Sequence, residues 1–111
     1  MNTAPYEGFF KNLGNRTRFR IIKSLQNNSK SVTEIAKDID MEQSAVSHHL
    51  KKLKECNLIK SKTQGRKRIY SLSKTVKPAL KAAEKHSRKY CQGKCPYKEK
   101  TIRKVKNKVK E

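Results

Sequence analysis

The sequence predicts a mainly α fold that carries one small β-hairpin. Four successive stretches, and a fifth after residue 73, repeat apolar residues at the three- and four-residue spacing of an amphipathic helix. Between the fourth and the fifth, residues 58–72 change to two short β-prone runs on either side of a glycine. The predicted order of elements is therefore α-α-α-α-β-β-α.

The first two predicted helices are separated by a break before Asn15. Residues 6–13 can form a short helix. The side chain of Asn15 favours the N-cap of the next helix, in which Phe19, Ile22 and Leu25 fall on one stripe. Asparagine and serine at residues 27–29 end that helix.

Capping patterns mark the third and fourth helices. Ser31 and Glu34 have the spacing of a capping box, and we expect residues 40–43 to repeat that pattern. The fourth helix is the longer of the two, and it ends where Asn57 can adopt a left-handed conformation. Its buried face is expected to consist of Val46, Leu50 and Leu53.

The hairpin has predicted strands at residues 58–63 and 68–72, joined by a turn at residues 64–67 that contains Gly65. The glycine provides the backbone freedom that a tight turn requires. β-Branched and aromatic side chains on both sides favour extended strands.

After the hairpin, Ser73 can cap a last helix that reaches about Cys91. The apolar face of this helix is expected to consist of Val76, Leu80 and Ala83. Residues 1–92 are thus predicted to form one domain, and residues 93–111 a basic C-terminal tail.

Charge is the strongest compositional signal. Lysine and arginine number 29 against 9 aspartate and glutamate, so the formal net charge is +20, and residues 60–111 hold 19 of the basic side chains but only 3 of the acidic ones. Nucleic acid is the polyanion inside cells that such a field attracts, although a solubilising lysine surface has the same composition. The charge therefore predicts a class of partner and not a fold.

Other classes of protein are disfavoured. No apolar run has the length of a membrane span, and the first residues do not form a signal peptide, so we expect no membrane partner. Three cysteines are too few for a secreted disulfide framework and indicate a reducing, cytoplasmic setting. An enzyme is not expected, because the carboxylates are scattered and neither a phosphate-binding loop nor a nucleophile–base pair is present.

Two short capped helices followed by a basic hairpin form the pattern of a winged helix-turn-helix, whose second helix enters the major groove of DNA. The recognition helix would span about residues 42–56, and a wing at about residues 64–68 would lie on the backbone or in the minor groove. Its partner would be double-stranded DNA, bound by sequence. The predicted DNA contacts are Gln43, Ser44, Ser47, His48, Lys51, Arg66, Lys67 and Arg68.

The residue types in the recognition helix suit base contacts. Gln43 can pair bidentately with adenine, Ser44 suits several bases, and His48 can donate to guanine or phosphate. His49 lies about 60° from the centre of the buried face, which favours packing over DNA contact.

A resemblance to the ArsR-type winged-helix transcriptional repressors is carried by two stretches, LGNRTRFRIIKSL and SVTEIAKDIDMEQSAVSHHLKKLKECNLIKSKTQGRKRIYSLS. It covers about residues 9–90, and QSAVSHHLKKL is its most specific piece. It implies a homodimer built on the first and last helices and bound to a pseudo-palindromic operator, with Gln43, Ser44, Ser47 and His48 at the DNA. The cysteine-rich box of metal-sensing members has no counterpart at residues 31–39, and of their last-helix site only His86 is in reach.

The cysteines leave several roles open. We expect Cys56, at the end of the recognition helix, to be a buried inert thiol. Cys91 and Cys95 could be inert, could form a redox pair, or could bind zinc or another thiophilic metal as four thiolates from two chains. DNA binding itself requires no cofactor.

Two alternative functions also fit part of the sequence. A sequence-independent architectural nucleic-acid-binding protein would explain the charge and the lysine-rich tail, but binding to the DNA backbone alone requires no capped helix with glutamine and serine at its tip. A winged helix used for protein interaction would need charge only for solubility, and the concentration of cations at the wing and beyond argues against it.

Overall fold

The computed structural model describes residues 3–90, which form five helices and a three-stranded antiparallel sheet. The helices are α1 (Ala4–Gly14), α2 (Arg16–Ser24), α3 (Val32–Ile39), α4 (Gln43–Glu55) and α5 (Val76–Tyr90). The strands are β1 (Lys30–Ser31), β2 (Ile59–Gln64) and β3 (Lys67–Leu72). The predicted fold class, a winged helix-turn-helix with one hairpin, is confirmed. The predicted domain boundary at residue 92 and the tail at residues 93–111 lie outside the described residues.

The predicted order of elements lacks β1. This strand joins the hairpin as an antiparallel neighbour of β3, with Lys30 opposite Tyr70 and Ser31 opposite Ile69. The sheet order is therefore β1-β3-β2. Two residues are too few to show the alternation of apolar and polar side chains that indicates a strand. The strand β1 is recognised only by its hydrogen bonds to β3.

The core lies between α2, α3, α4, the base of the hairpin and the first turns of α5. Burial of each large aliphatic side chain contributes about 1.5–3 kcal/mol, so this cluster fixes the helices against each other. The predicted face of α4 is confirmed, because Val46, Leu50 and Leu53 are all at most 1% exposed. The other large side chains with almost no exposure are Ile21, Ile22, Leu25, Ile35, Ile59 and Val76.

Of the caps predicted at the starts of α2, α3 and α4, two are confirmed and one is wrong, and the predicted left-handed Asn57 after α4 is also confirmed, with φ 59°. The side chain of Asn15 accepts a hydrogen bond from the backbone N–H of Arg18 at 3.0 Å and begins α2. Ser31 and Glu34 form the complete capping box of α3. Asp40, however, has φ 55° and ends α3 in the left-handed conformation, so it cannot begin α4. The N-cap of α4 is instead Glu42, which makes no side-chain cap hydrogen bond.

Helix α5 follows the hairpin closely but packs on the core only at its start. Val76 and Leu80 are buried, as predicted, whereas Ala83 is exposed, so that part of the predicted apolar face is not core. The predicted cap at Ser73 is wrong, because α5 begins only at Val76 and the hydroxyl of Ser73 donates to the backbone carbonyl of Asn57 at 2.7 Å. This hydrogen bond ties the end of β3 to the loop after α4. Among residues 3–90, no helix combines the length and the apolar character needed to cross a membrane.

Candidate nucleic-acid interface

Helix α4 presents a continuous polar face. Gln43, Ser44, Ser47, His48 and Lys51 are all exposed, while the side chains on the opposite face of the helix are buried. The capped helix α3 and a three-residue connection hold α4 in this orientation. The structure therefore brings together the five side chains that the sequence singled out on this helix.

The wing ends in a two-residue turn formed by Gly65 and Arg66. Gly65 has a positive φ of 62°, whereas Arg66 has a negative one. This combination is typical of a type II′ turn, whose twist matches that of a β-hairpin. Arg66 lies at the tip of the hairpin and is exposed.

The other two predicted wing cations lie in β3 and not in the turn. Lys67 pairs with Gln64 and Arg68 pairs with Thr63, and as neighbours on a strand they point to opposite faces of the sheet. Lys67 also lies near enough to Glu34 to contribute to lowering the pKa of that carboxyl, after the dominant hydrogen bonds from Ser31. A single DNA-contacting surface of the hairpin can therefore include Arg66 together with either Arg68 or Lys67. It cannot include both Lys67 and Arg68.

A polar network connects α1 and α2 to α4, and no spacing in the sequence indicates it. The guanidinium of Arg18 donates to Oδ1 of Asn12 at 2.9 Å and to Nδ1 of His49 at 3.4 Å. Asn12 is only 4% exposed, and its amide donates to the carbonyl of Gly8 at 2.9 Å. The network fixes the side of α4 that carries His49, next to the exposed His48.

The protonation state of His49 suits this contact. Burial lowers its pKa, and the charges of Arg18, His48 and Lys52 lower it further. A lowered pKa favours the neutral ring, in which Nδ1 can accept from Arg18. This supports the predicted packing role of His49.

Two further polar contacts hold the elements around α4. Lys54 donates to the hydroxyl of Ser61 at 2.7 Å and links the recognition helix to β2 of the wing. Asp38 of α3 accepts from Ser24 at 2.8 Å and pairs with Lys30. Burial raises the pKa of Asp38, but the hydrogen bonds from Lys30 and Ser24 outweigh it, so that this pKa lies below its ordinary value.

The cysteine predictions have two outcomes. Cys56 is exposed, so the expectation of a buried thiol is wrong, because the chain leaves the core at the end of α4 before Leu58 returns to it. Cys91 and Cys95 lie outside the described residues. Within residues 3–90, no three histidine, cysteine or carboxylate side chains come together as a metal site requires.

The comparisons with known proteins agree on one family. A family model described as bacterial regulatory protein, arsR family, matches residues 15–61. The chain is 41% identical to the HTH-type transcriptional regulator NmtR of Mycobacterium tuberculosis over 76 residues, which are 68% of this chain and 63% of that protein. The solution structure of apo-NmtR superposes with a TM-score of 0.72 and 33% identity, and covers 86% of this chain and 82% of that one.

Two further relatives are also named as regulators. The transcriptional activator HlyU of Vibrio cholerae is 32% identical over 82% of each chain, and its structure gives a TM-score of 0.69, covering 81% of this chain and 96% of that one. A cadmium resistance transcriptional regulatory protein, CadC of Listeria innocua, is 34% identical over 68% of this chain and 64% of its own length. The chain spans 63% and 64% of the first two curated relatives that it matches, both from M. tuberculosis. Their names describe regulators and not enzymes, in agreement with the prediction.

Proposed function

Because this chain belongs to the ArsR family of DNA-binding bacterial transcription regulators, we propose that it acts as a homodimer that binds one operator by sequence and represses transcription there. Helix α4 enters the major groove, with Gln43 and Ser44 at its N-terminal end reading base edges. The wing contacts the backbone or the minor groove through Arg66 and Arg68. Repression follows from occupancy of the operator.

The observation that carries this proposal is the polar outer face of α4. Its side chains are exposed along the helix, although the helix is anchored by three nearly inaccessible aliphatic side chains and by Arg18 from α2. When one face of a helix is packed against the core and the opposite face is polar, the polar side chains can contact base edges while the packing of the helix stays intact. A purely architectural binder requires only the charge.

The experiment is a footprint on the DNA around the protein's own gene, followed by affinity measurements on the protected site and on random DNA. Gln43→Ala is expected to weaken operator binding about 10- to 100-fold, and binding to random DNA little, because a bidentate base contact contributes about 1–3 kcal/mol of discrimination. Transcription from a template that carries the operator is expected to fall when the protein is added.

The matched control for Gln43→Ala is Lys51→Ala, a change to a phosphate-reaching cation on the same helix. It is expected to weaken operator and random DNA alike. If Gln43→Ala also weakened both equally, or if no protected site existed, the architectural alternative would replace this proposal.

The homodimer is supported by apolar side chains that a single chain leaves exposed. Phe10 on α1 is 66% exposed and Tyr90 on α5 is 61% exposed, with Tyr6 one turn from Phe10 at 58%. Such side chains favour burial against a second copy. We expect a dimer in sedimentation at micromolar concentration, with recognition helices about 34 Å apart. A monomer under these conditions would contradict it, as would an unchanged dimer in a Phe10→Ser, Tyr90→Ser variant.

Cys91 and Cys95 are proposed as the site of a metal or redox signal. One relative is named for cadmium resistance, and Lys85, Arg88 and Lys94 precede or separate these thiols in sequence, which favours thiolates. We expect operator affinity to change several-fold between reduced, oxidised and zinc-loaded protein, and the change to vanish in a Cys91→Ser, Cys95→Ser variant. Equal affinity in all three states would exclude these thiols as the sensor.

A further inference from the structure

A basic groove of about 760 Å³ lies between the end of α2 and the outer half of α5. It is lined by five cationic side chains and one carboxylate, which are Lys23, Lys81, Lys85, Arg88, Lys89 and Glu84. Gln26 and Asn27 also line it, and Oε1 of Gln26 accepts a hydrogen bond from Lys23 at 2.6 Å. The volume is that of a small-molecule site, and every residue that lines it is charged or carries a side-chain amide.

The groove has an excess of positive charge that its own residues do not neutralise. Glu84 is the carboxylate for the whole set, and it is shared between Arg88, to which it is hydrogen-bonded, and Lys23 at 3.8 Å. Five cations and one anion leave a net charge of +4. Like charges held side by side repel each other, so the folded state gains when an anion enters between them.

We propose that this groove binds a small polyphosphate, either the phosphate chain of a nucleotide or inorganic polyphosphate. The α5 cations extend from Lys81 to Lys89, eight residues or about 12 Å along the helix. That length exceeds what one sulfate or phosphate occupies and suits several linked phosphates. Exposed single charges are screened within about 8 Å at physiological salt, which also favours a multivalent ligand.

The groove is separate from the apolar face of α5. With about 100° per residue, Ala83 and Tyr90 lie within about 40° of Val76, whereas Lys81 and Arg88 lie about 120–140° from it. A second copy that covers the apolar face therefore leaves the cationic side of the helix open. The lining also contains no residue of α4 or of the hairpin, so it is distinct from the proposed DNA surface.

The experiment is a calorimetric titration of the full chain with sodium tripolyphosphate and, separately, with ATP at fixed ionic strength. Lys81→Gln combined with Lys85→Gln is expected to weaken binding of both at least tenfold. The matched control is Lys37→Gln combined with Lys74→Gln, which removes the same charge at exposed positions outside the groove and should change binding less than twofold. Tighter binding of ATP than of tripolyphosphate identifies the nucleotide as the ligand class, and the reverse identifies inorganic polyphosphate.

Three outcomes would overturn the proposal: no binding of either probe, equal loss in the two double variants, or a parallel loss of operator affinity in the Lys81→Gln, Lys85→Gln variant. The second would show attraction by net charge alone. The third would make the groove a contact with the DNA backbone. Because the titration contains no DNA, its result does not depend on whether the proposed operator binding is correct.

Discussion

Replacing Leu50 with alanine is expected to lower the free energy of unfolding by about 2–5 kcal/mol. Leu50 is 1% exposed at the middle of α4, where this helix packs against α2, α3 and β2. Truncation of this side chain removes buried apolar surface and leaves a cavity. The cavity stays open because the surrounding helices and strand are close-packed and cannot all move in to fill it. Urea denaturation of the full chain, followed by circular dichroism, measures the loss.

His48→Ala is the matched control on the same helix. His48 is exposed and two residues before Leu50, so its removal is expected to change stability by less than about 0.5 kcal/mol. Equal losses in both variants would contradict the burial of this face of α4. Since small domains have only about 5–15 kcal/mol of stability, the Leu50→Ala variant also shows how much lost DNA binding results from unfolding rather than from a missing contact.

The recognition helix was predictable because local pattern and tertiary role coincide there. Val46, Leu50 and Leu53 recur at helical spacing, and a helix with one apolar stripe must bury that stripe. Once the buried side is known, the exposed side follows from the helical period. The outward positions of Gln43 and His48 are therefore geometric consequences of the sequence.

The features that the sequence did not reveal depend on contacts between distant segments. The Arg18–His49 hydrogen bond joins residues 31 apart, and β1 exists only because Lys30 and Ser31 lie beside β3. Asp40 failed as a predicted cap because a left-handed residue ends α3 there, although its side-chain type favours both roles. The composition and the spacing of residues do not predict which distant residues come into contact.

Helix α5 shows a third kind of limit. Its apolar spacing predicts a buried face through Ala83, but the single chain covers only Val76 and Leu80. An amphipathic pattern predicts that one face of a helix is covered, but it does not identify the surface that covers it. In α5, the proposed second copy supplies that surface. The same helix places its cations on the opposite side, where the proposed polyphosphate groove lies.

Raising the salt concentration from 50 to 200 mM is expected to weaken operator binding about 10³-fold. Three exposed candidate cations of each protomer, Lys51, Arg66 and Arg68, can contact the DNA together, because Lys67 points to the other face of the sheet from Arg68, so the proposed dimer presents six. Each neutralised phosphate releases counterions and steepens the slope of log affinity against log salt by about 0.9, which gives a slope near −5 for six contacts. Fluorescence anisotropy of a labelled operator over this range measures the slope.

The slope also identifies which cations contact DNA. Arg66→Gln combined with Arg68→Gln removes four of the six contacts in a dimer and is expected to reduce the slope by about 3 to 4, on operator and random DNA alike. Lys81→Gln combined with Lys85→Gln removes the same charge from the groove between α2 and α5 and is expected to change the slope by less than about one. Equal reductions of the slope in the two variants would contradict a wing that contacts phosphate. The salt dependence would then follow the net charge of the protein and not the position of Arg66 and Arg68.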